Sequence, residues 1–223
     1  MALSIKRLSL CAAGISALCS VCFGQIVKTK TGYLLRSHYV KGMVINYDSA
    51  TSVKGGGTSI PAFHIGIKIE VIKVNRGIGT VRITQGAVKV GGSEVMHPST
   101  LEVSLDSRNV GNTKGSNAIG PPLPPLAVRP GSTWEAVIPV TLLGNTKAMK
   151  MRYQFSGMTH VKNQSMGLIL FTVGGAVEGE GKMFIRASDG TVESSEMTLN
   201  LGKGLGGVSS KAMMQAHFLV KRL

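Results

Sequence analysis

From Phe63 to Val71 the chain alternates. Phe63, Ile65, Ile67, Ile69 and Val71 fall on one side, with His64, Lys68 and Glu70 on the other. A repeat of two belongs to extended backbone, whose successive side chains point to opposite faces; an amphipathic helix would space its apolar residues at 3.6. One row is therefore free to enter a core while the other stays in water, which is the signature of a half-buried antiparallel strand. Met149, Met151, Tyr153 and Phe155 repeat the pattern against Lys150, Arg152 and Gln154. Shorter versions run through Leu101, Val103 and Leu105, and through Trp134, Ala136, Ile138 and Val140.

The punctuation between these runs agrees. The chain has 29 glycines, and turn clusters recur at Gly55-Gly56-Gly57, Gly91-Gly92, Gly174-Gly175 and Ser188-Asp189-Gly190. Asp-Gly tolerates positive φ, so the last cluster predicts a hairpin between 183–186 and 192–201. No segment between the leader and residue 210 sustains helical spacing. In the tail, Ala212, Met214, Ala216, Phe218 and Val220 alternate opposite Lys211, Gln215 and Lys221, and a strand is favoured there over a helix. The expected fold class is all-β: curved antiparallel sheets, half-barrel or sandwich-like.

Residues 111–132 interrupt this rhythm with Pro121-Pro122-Leu123-Pro124-Pro125 and Pro130-Gly131. Proline cannot donate to a ladder, so the stretch reads as an extended connection between an N-terminal β unit, 25–110, and a C-terminal one, 133–223. The two units are weakly alike. Each has a long alternating strand (63–74; 148–158), a second apolar strand (78–84; 166–173) and a later strand beside an acidic turn (101–106; 183–189). That suggests a duplicated β unit.

The first 24 residues read differently. Lys6 and Arg7 precede an apolar run from Leu8 to Phe23, closed by Gly24. This is the layout of an export signal, and cleavage is expected after Gly24. A spanning helix wants about 20 apolar residues, and this run is shorter and broken by Ser16 and Ser20. Leu18 and Val21 are too bulky for a lipobox, so lipid modification of Cys19 or Cys22 is not expected. All three cysteines lie in this leader, so the exported chain carries no thiol, disulfide or thiolate ligand. The sequence holds 25 Lys and Arg against 11 acids. The leader takes two of the former and none of the latter, leaving 23 against 11, a formal charge of +12.

Val128-Arg129-Pro130-Gly131-Ser132-Thr133-Trp134 resembles a "Val-x-Pro-Gly-x-x-Trp" stretch of uncharacterised exported bacterial β-proteins. Gly181 to Gly190 approximates the "G-x-x-x-D-x-x-G" element that follows it there, with two extra residues of spacing. The resemblance spans about residues 120–202 and is carried by turn motifs. More distantly, the chain is similar to lipoprotein carriers, whose curved sheets hold acyl chains in a half-barrel. The resemblance implies a fold and an envelope setting, but no catalytic residue.

Constellations for chemistry are sparse. His38, His64, His97, His160 and His217 lie far apart with no metal-ligand spacing, and no metal or cofactor is expected. There is no Gly-x-Ser-x-Gly elbow. Ser156, His160 and Asp189 are a triad only by selection from many residues. Glu178 and Glu180, placed in a glycine-rich turn, point the same way, but a glycosidase needs its carboxylates across a cleft. Gly202-Lys203-Gly204-Leu205-Gly206-Gly207 lacks Walker spacing and reads as a hairpin connection.

Excess cations favour anionic partners such as lipid headgroups or envelope polymers and allow peripheral membrane contact. With six Phe, four Tyr and one Trp, a stacking platform for nucleic acid is not supported. Methionine stripes (Met149/Met151, Met213/Met214) suit an adaptable apolar groove. The expectation is an exported, non-enzymatic envelope protein binding a lipid or other amphiphilic or anionic ligand on a concave sheet. The alternatives are a structural or adhesive β-module, and a hydrolase whose site assembles only in three dimensions. No catalytic, metal or cofactor-binding residue is assigned, and the ligand contacts and oligomeric state are not set.

Overall fold

The computed structural model describes residues 25–55, 58–90, 93–111, 122–142, 145–175, 177–200 and 214–223. The leader 1–24 and the glycine-rich stretch 202–207 lie outside the described residues. Among the described residues there is no helix, and the fold is all-β.

The alternating runs become long strands. The first half supplies β1 (Gln25–Lys28), β2 (Tyr33–Arg36), β3 (Val44–Gly55), β4 (Thr58–Asn75), β5 (Ile78–Gln85), β6 (Val88–Val90), β7 (Ser93–Met96) and β8 (Ser99–Leu105). The second half supplies β9 (Thr133–Leu142), β10 (Asn145–Val161), β11 (Gln164–Gly175), β12 (Glu178–Arg186), β13 (Val192–Asn200) and β14 (Met214–Arg222). Glu178 and Glu180 thus sit on a strand rather than in a turn, because Gly179 and Gly181 pair with β11 and β13. The expected Asp189-Gly190 hairpin is present, with Gly190 at φ 60° and Asp189 accepting from the Thr191 N–H at 3.0 Å. The tail is the strand its alternation predicts.

Ten strands form one antiparallel sheet in the order β8-β5-β4-β3-β14-β13-β12-β11-β10-β9; β1-β2 and β6-β7 are separate two-stranded ribbons. The 25–110 and 133–223 stretches therefore share one sheet, joined where the C-terminal β14 pairs with β3. Both halves step across the sheet in the same sense, as any meander does. The sheet is an open meander, not a closed barrel, with β8 and β9 as its edges.

Two of the two-residue hairpin turns lie wholly within the described residues. Arg76-Gly77 (φ 48° and 78°) links β4 to β5, and Lys162-Asn163 (φ 49° and 63°) links β10 to β11. Positive φ at both central residues matches the right-handed twist of the flanking strands.

One face of the sheet carries the core. Ile65, Ile67, Ile69 and Val71 of β4, Met149, Met151, Tyr153 and Phe155 of β10, and Ala216, Phe218 and Val220 of β14 are all buried. A layer from the chain itself covers this face. Residues 25–43 cross it from one flank to the other: Ile26 N–H donates to the Ala187 carbonyl at 3.2 Å, and the Tyr33 ring lies 5.5 Å from Phe155. Farther along, Ser37 N–H donates to the Ser107 carbonyl at 2.7 Å, and the Tyr39 hydroxyl bonds Asn109 at 2.8 Å.

Part of the proline-rich connection joins this cap. Val128 bridges Tyr33, Leu123 and Val128 are buried, and the Arg36 guanidinium donates to the carbonyl of Pro124 at 2.8 Å and to that of Pro125. Glycine makes room for the cap. A Cβ at Gly79 would run into the Tyr39 ring, and one at Gly167 into Ile26.

Candidate functional site

The apolar face is occupied by this cap. Between cap and sheet, a small hollow near Leu35, Leu123 and Ile185 has no room for a water molecule. The solvent face is different. Across β9 to β13 it dips into an open trough of about 630 Å³, a volume in the range of small-molecule sites.

Strand register places the trough's side chains in two rows. One runs Glu135–Arg152–Thr172–Glu180–Thr198, and the next Thr133–Gln154–Leu170–Lys182–Glu196. On the core side, a Cβ at Gly181 would strike the Phe171 ring and the Glu196 carbonyl, so its absence lets β11, β12 and β13 close tightly around that ring.

The charges in the trough are mostly paired. Arg152 reaches Glu135 at 2.8 Å, and Lys182 reaches Glu196 at 3.0 Å. His217 of β14 lies 3.1 Å from the other oxygen of Glu196. Hydrogen bonds from the Lys182 ammonium, then from His217, hold the Glu196 carboxyl below the usual carboxylate range. Glu180 is exposed and has no ion-pair partner among the described residues. Leu170, 38% exposed, is the exposed apolar residue of the lining, beside the buried Phe171 and Met197.

The other sequence candidates are scattered. Ser156 sits in the bulge between Phe155 and Gly157, and His160 is exposed near the end of β10. Asp189 is taken up by Thr191, at 2.6 Å from its hydroxyl, and by Arg222 at 3.1 Å, so the selected triad is not brought together. His64 and His217 each meet a carboxylate, Asp48 at 2.9 Å and Glu196 at 3.1 Å, but no serine hydroxyl bonds either ring among the described residues. His38 and His97 lie outside the trough. Among the described residues no three His, Cys, Asp or Glu converge on a point that could hold a metal.

The trough was missed in the sequence because its lining is polar and comes from five strands. The residues of the "Val-x-Pro-Gly-x-x-Trp" stretch, by contrast, are structural. Gly131 (φ 90°) donates to the Phe155 carbonyl at 2.7 Å, and Trp134 stacks on Tyr153 at 5.5 Å while its indole donates to the Pro122 carbonyl at 2.8 Å.

No family model matches this sequence, and no curated protein matches it. Among solved structures it is similar to the hypothetical lipoprotein YmcC from Escherichia coli, at 12% identity over 77% of this chain and 82% of that one, with a TM-score of 0.31. A candidate lipoprotein from Parabacteroides distasonis is similar at 7% identity over 91% of this chain and 100% of that one, with a TM-score of 0.39. Similarity at this level assigns neither activity nor residue roles.

Proposed function

We propose that the chain is an exported envelope protein that binds an amphiphile on the solvent face of its sheet, in the trough across β9 to β13. The observation that carries this reading is the contrast between the two faces: the apolar face is filled by the chain's own cap, while the opposite face keeps an open hollow of ligand size. Export rests on the leader 1–24. The lining suggests the ligand's chemistry. Glu180 offers a carboxylate to an ammonium or hydroxyl donor, Arg152 and Lys182 offer cations to a phosphate, and Leu170 with the methylene stems of those two side chains receives the first carbons of an acyl chain. A zwitterionic lipid head fits this set better than a simple anion, because Glu135, Glu180 and Glu196 offset the two cations.

Titration calorimetry with lysophosphatidylethanolamine, below its micelle concentration, tests the reading. Saturable binding is expected, weakened at least tenfold by Leu170→Asp and by Lys182→Glu; equal binding by wild type and both variants, or none by wild type, would overturn it. The open edges favour a second reading, a structural β-module pairing through β8 or β9, since no strand covers the outer side of either among the described residues. Concentration-dependent self-association in sedimentation, abolished by Val137→Lys on β9, would support that reading instead.

A further inference from the structure

The cap that seals the core has an outer surface of its own. In the β1-β2 ribbon, Ile26 and Leu35 form one cross-strand pair and Val27 and Leu34 the next, so the two pairs face opposite ways. Leu35 is buried at 1% exposure, whereas Val27 is 45% exposed. Alongside β2, the 122–128 segment presents Leu126 at 76% exposure, the most exposed large apolar residue of the cap. Cations lie on the same segments. Lys28, Lys30 and Arg129 are all exposed, and none is in an ion pair among the described residues. Arg129 Nε donates to the Thr31 carbonyl at 2.9 Å, which pins this guanidinium to the ribbon's turn. Of the acids on the solvent face, Glu135 is paired with Arg152, Glu102 with Arg82, and Asp48 with His64. The cap therefore offers exposed apolar side chains with exposed, unpaired cations on the same segments, the composition of a peripheral membrane-binding surface.

We infer that the outer face of the cap, centred on Val27 and Leu126 and flanked by Lys30 and Arg129, docks on an anionic lipid bilayer. The inference rests on the export reading only for which membrane is meant. It uses a different face from the amphiphile trough, so the two fail separately. Val27 and Leu126 enter the interfacial region, and the two cations sit at the level of the lipid phosphates. The trough residues stay clear of the bilayer.

The test uses the chain from Gln25 to Leu223, which contains every described strand and core contact; the leader's own apolar run would insert into vesicles and mask the cap. Flotation with vesicles of phosphatidylglycerol and phosphatidylcholine is compared with vesicles of phosphatidylcholine alone. Binding to the anionic vesicles, reversed by salt, is expected. Each of Lys30→Ala and Arg129→Ala should weaken it about fivefold, and Val27→Ser with Leu126→Ser should weaken it further. Leu170→Asp in the trough should leave it unchanged. A second readout does not depend on those variants folding: in Leu126→Trp, indole emission should shift to the blue on anionic vesicles. Three results would each overturn the inference: no binding to anionic vesicles, equal binding to both kinds, or indifference to the cation and Val27/Leu126 substitutions. Full competition by soluble dextran sulfate without a blue shift would assign the patch to an anionic polymer and overturn it equally.

Discussion

Asp189 shows how much one turn residue can hold. Its carboxylate accepts from the Thr191 N–H and hydroxyl and from Arg222 on β14, so it ties the β12-β13 hairpin to the C-terminal strand. Burial pushes its carboxyl up, but the Thr191 and Arg222 hydrogen bonds outweigh burial and leave it below the ordinary carboxylate range. A lowered folded value means this stabilisation is complete above about pH 4, the usual aspartate value, and is lost as pH falls through the lowered one. Asp189→Ala should cost about 2 kcal/mol in denaturant unfolding at neutral pH. Asp189→Asn should flatten the acid limb of the stability profile below about pH 4; an acid limb unchanged from wild type would count against this account. The reverse case is Ser195, which is buried with its hydroxyl unpartnered beside Val220. Ser195→Ala should raise stability by up to about 1 kcal/mol, and a loss of that size would point to an ordered water on the hydroxyl. The Asp189-Gly190 turn was legible in the sequence because its geometry is local. Arg222 was not, because its arrival depends on the register of a strand more than thirty residues later.

At the level of elements, alternation was the reliable guide. The long strands over 63–74 and 148–158 and the tail strand all follow from period two, since a row of Ile, Val, Met or Phe has no other way to leave water together. Glycine was the misleading residue. Gly179 and Gly181 read as a turn around Glu178 and Glu180, yet they lie within β12 on the core side, where their missing side chains admit Leu199 and Phe171. Gly181→Ala should destabilise the fold by about 1–3 kcal/mol through overpacking against the Phe171 ring. The same substitution should weaken amphiphile binding by widening the trough floor. Unchanged thermal stability in Gly181→Ala would mean that the close approach of β11, β12 and β13 is not needed. The cap ribbon β1-β2 was not anticipated at all, because four-residue strands carry too little alternation to register and their contacts are to residues far along the chain.

For the whole molecule, the decisive event is the return of β14 to β3. Without it the two halves would be separate open sheets, each exposing an apolar face; with it they form one sheet whose core face a single cap can seal. Removing β14 should therefore abolish cooperative unfolding of both halves rather than of one, and hydrogen exchange across β4 and β10 would report it. The all-β class and the single covered face were legible in the sequence. The sealing of that face was not, and it moves the proposed ligand from the apolar side to the polar one. Native mass spectrometry of the chain from Gln25 to Leu223, purified without detergent, tests that relocation most directly. The account predicts a retained amphiphile on wild type that Leu170→Asp removes and the cap substitutions Val27→Ser and Leu126→Ser leave in place. Bare protein, or an amphiphile indifferent to Leu170→Asp, would contradict it.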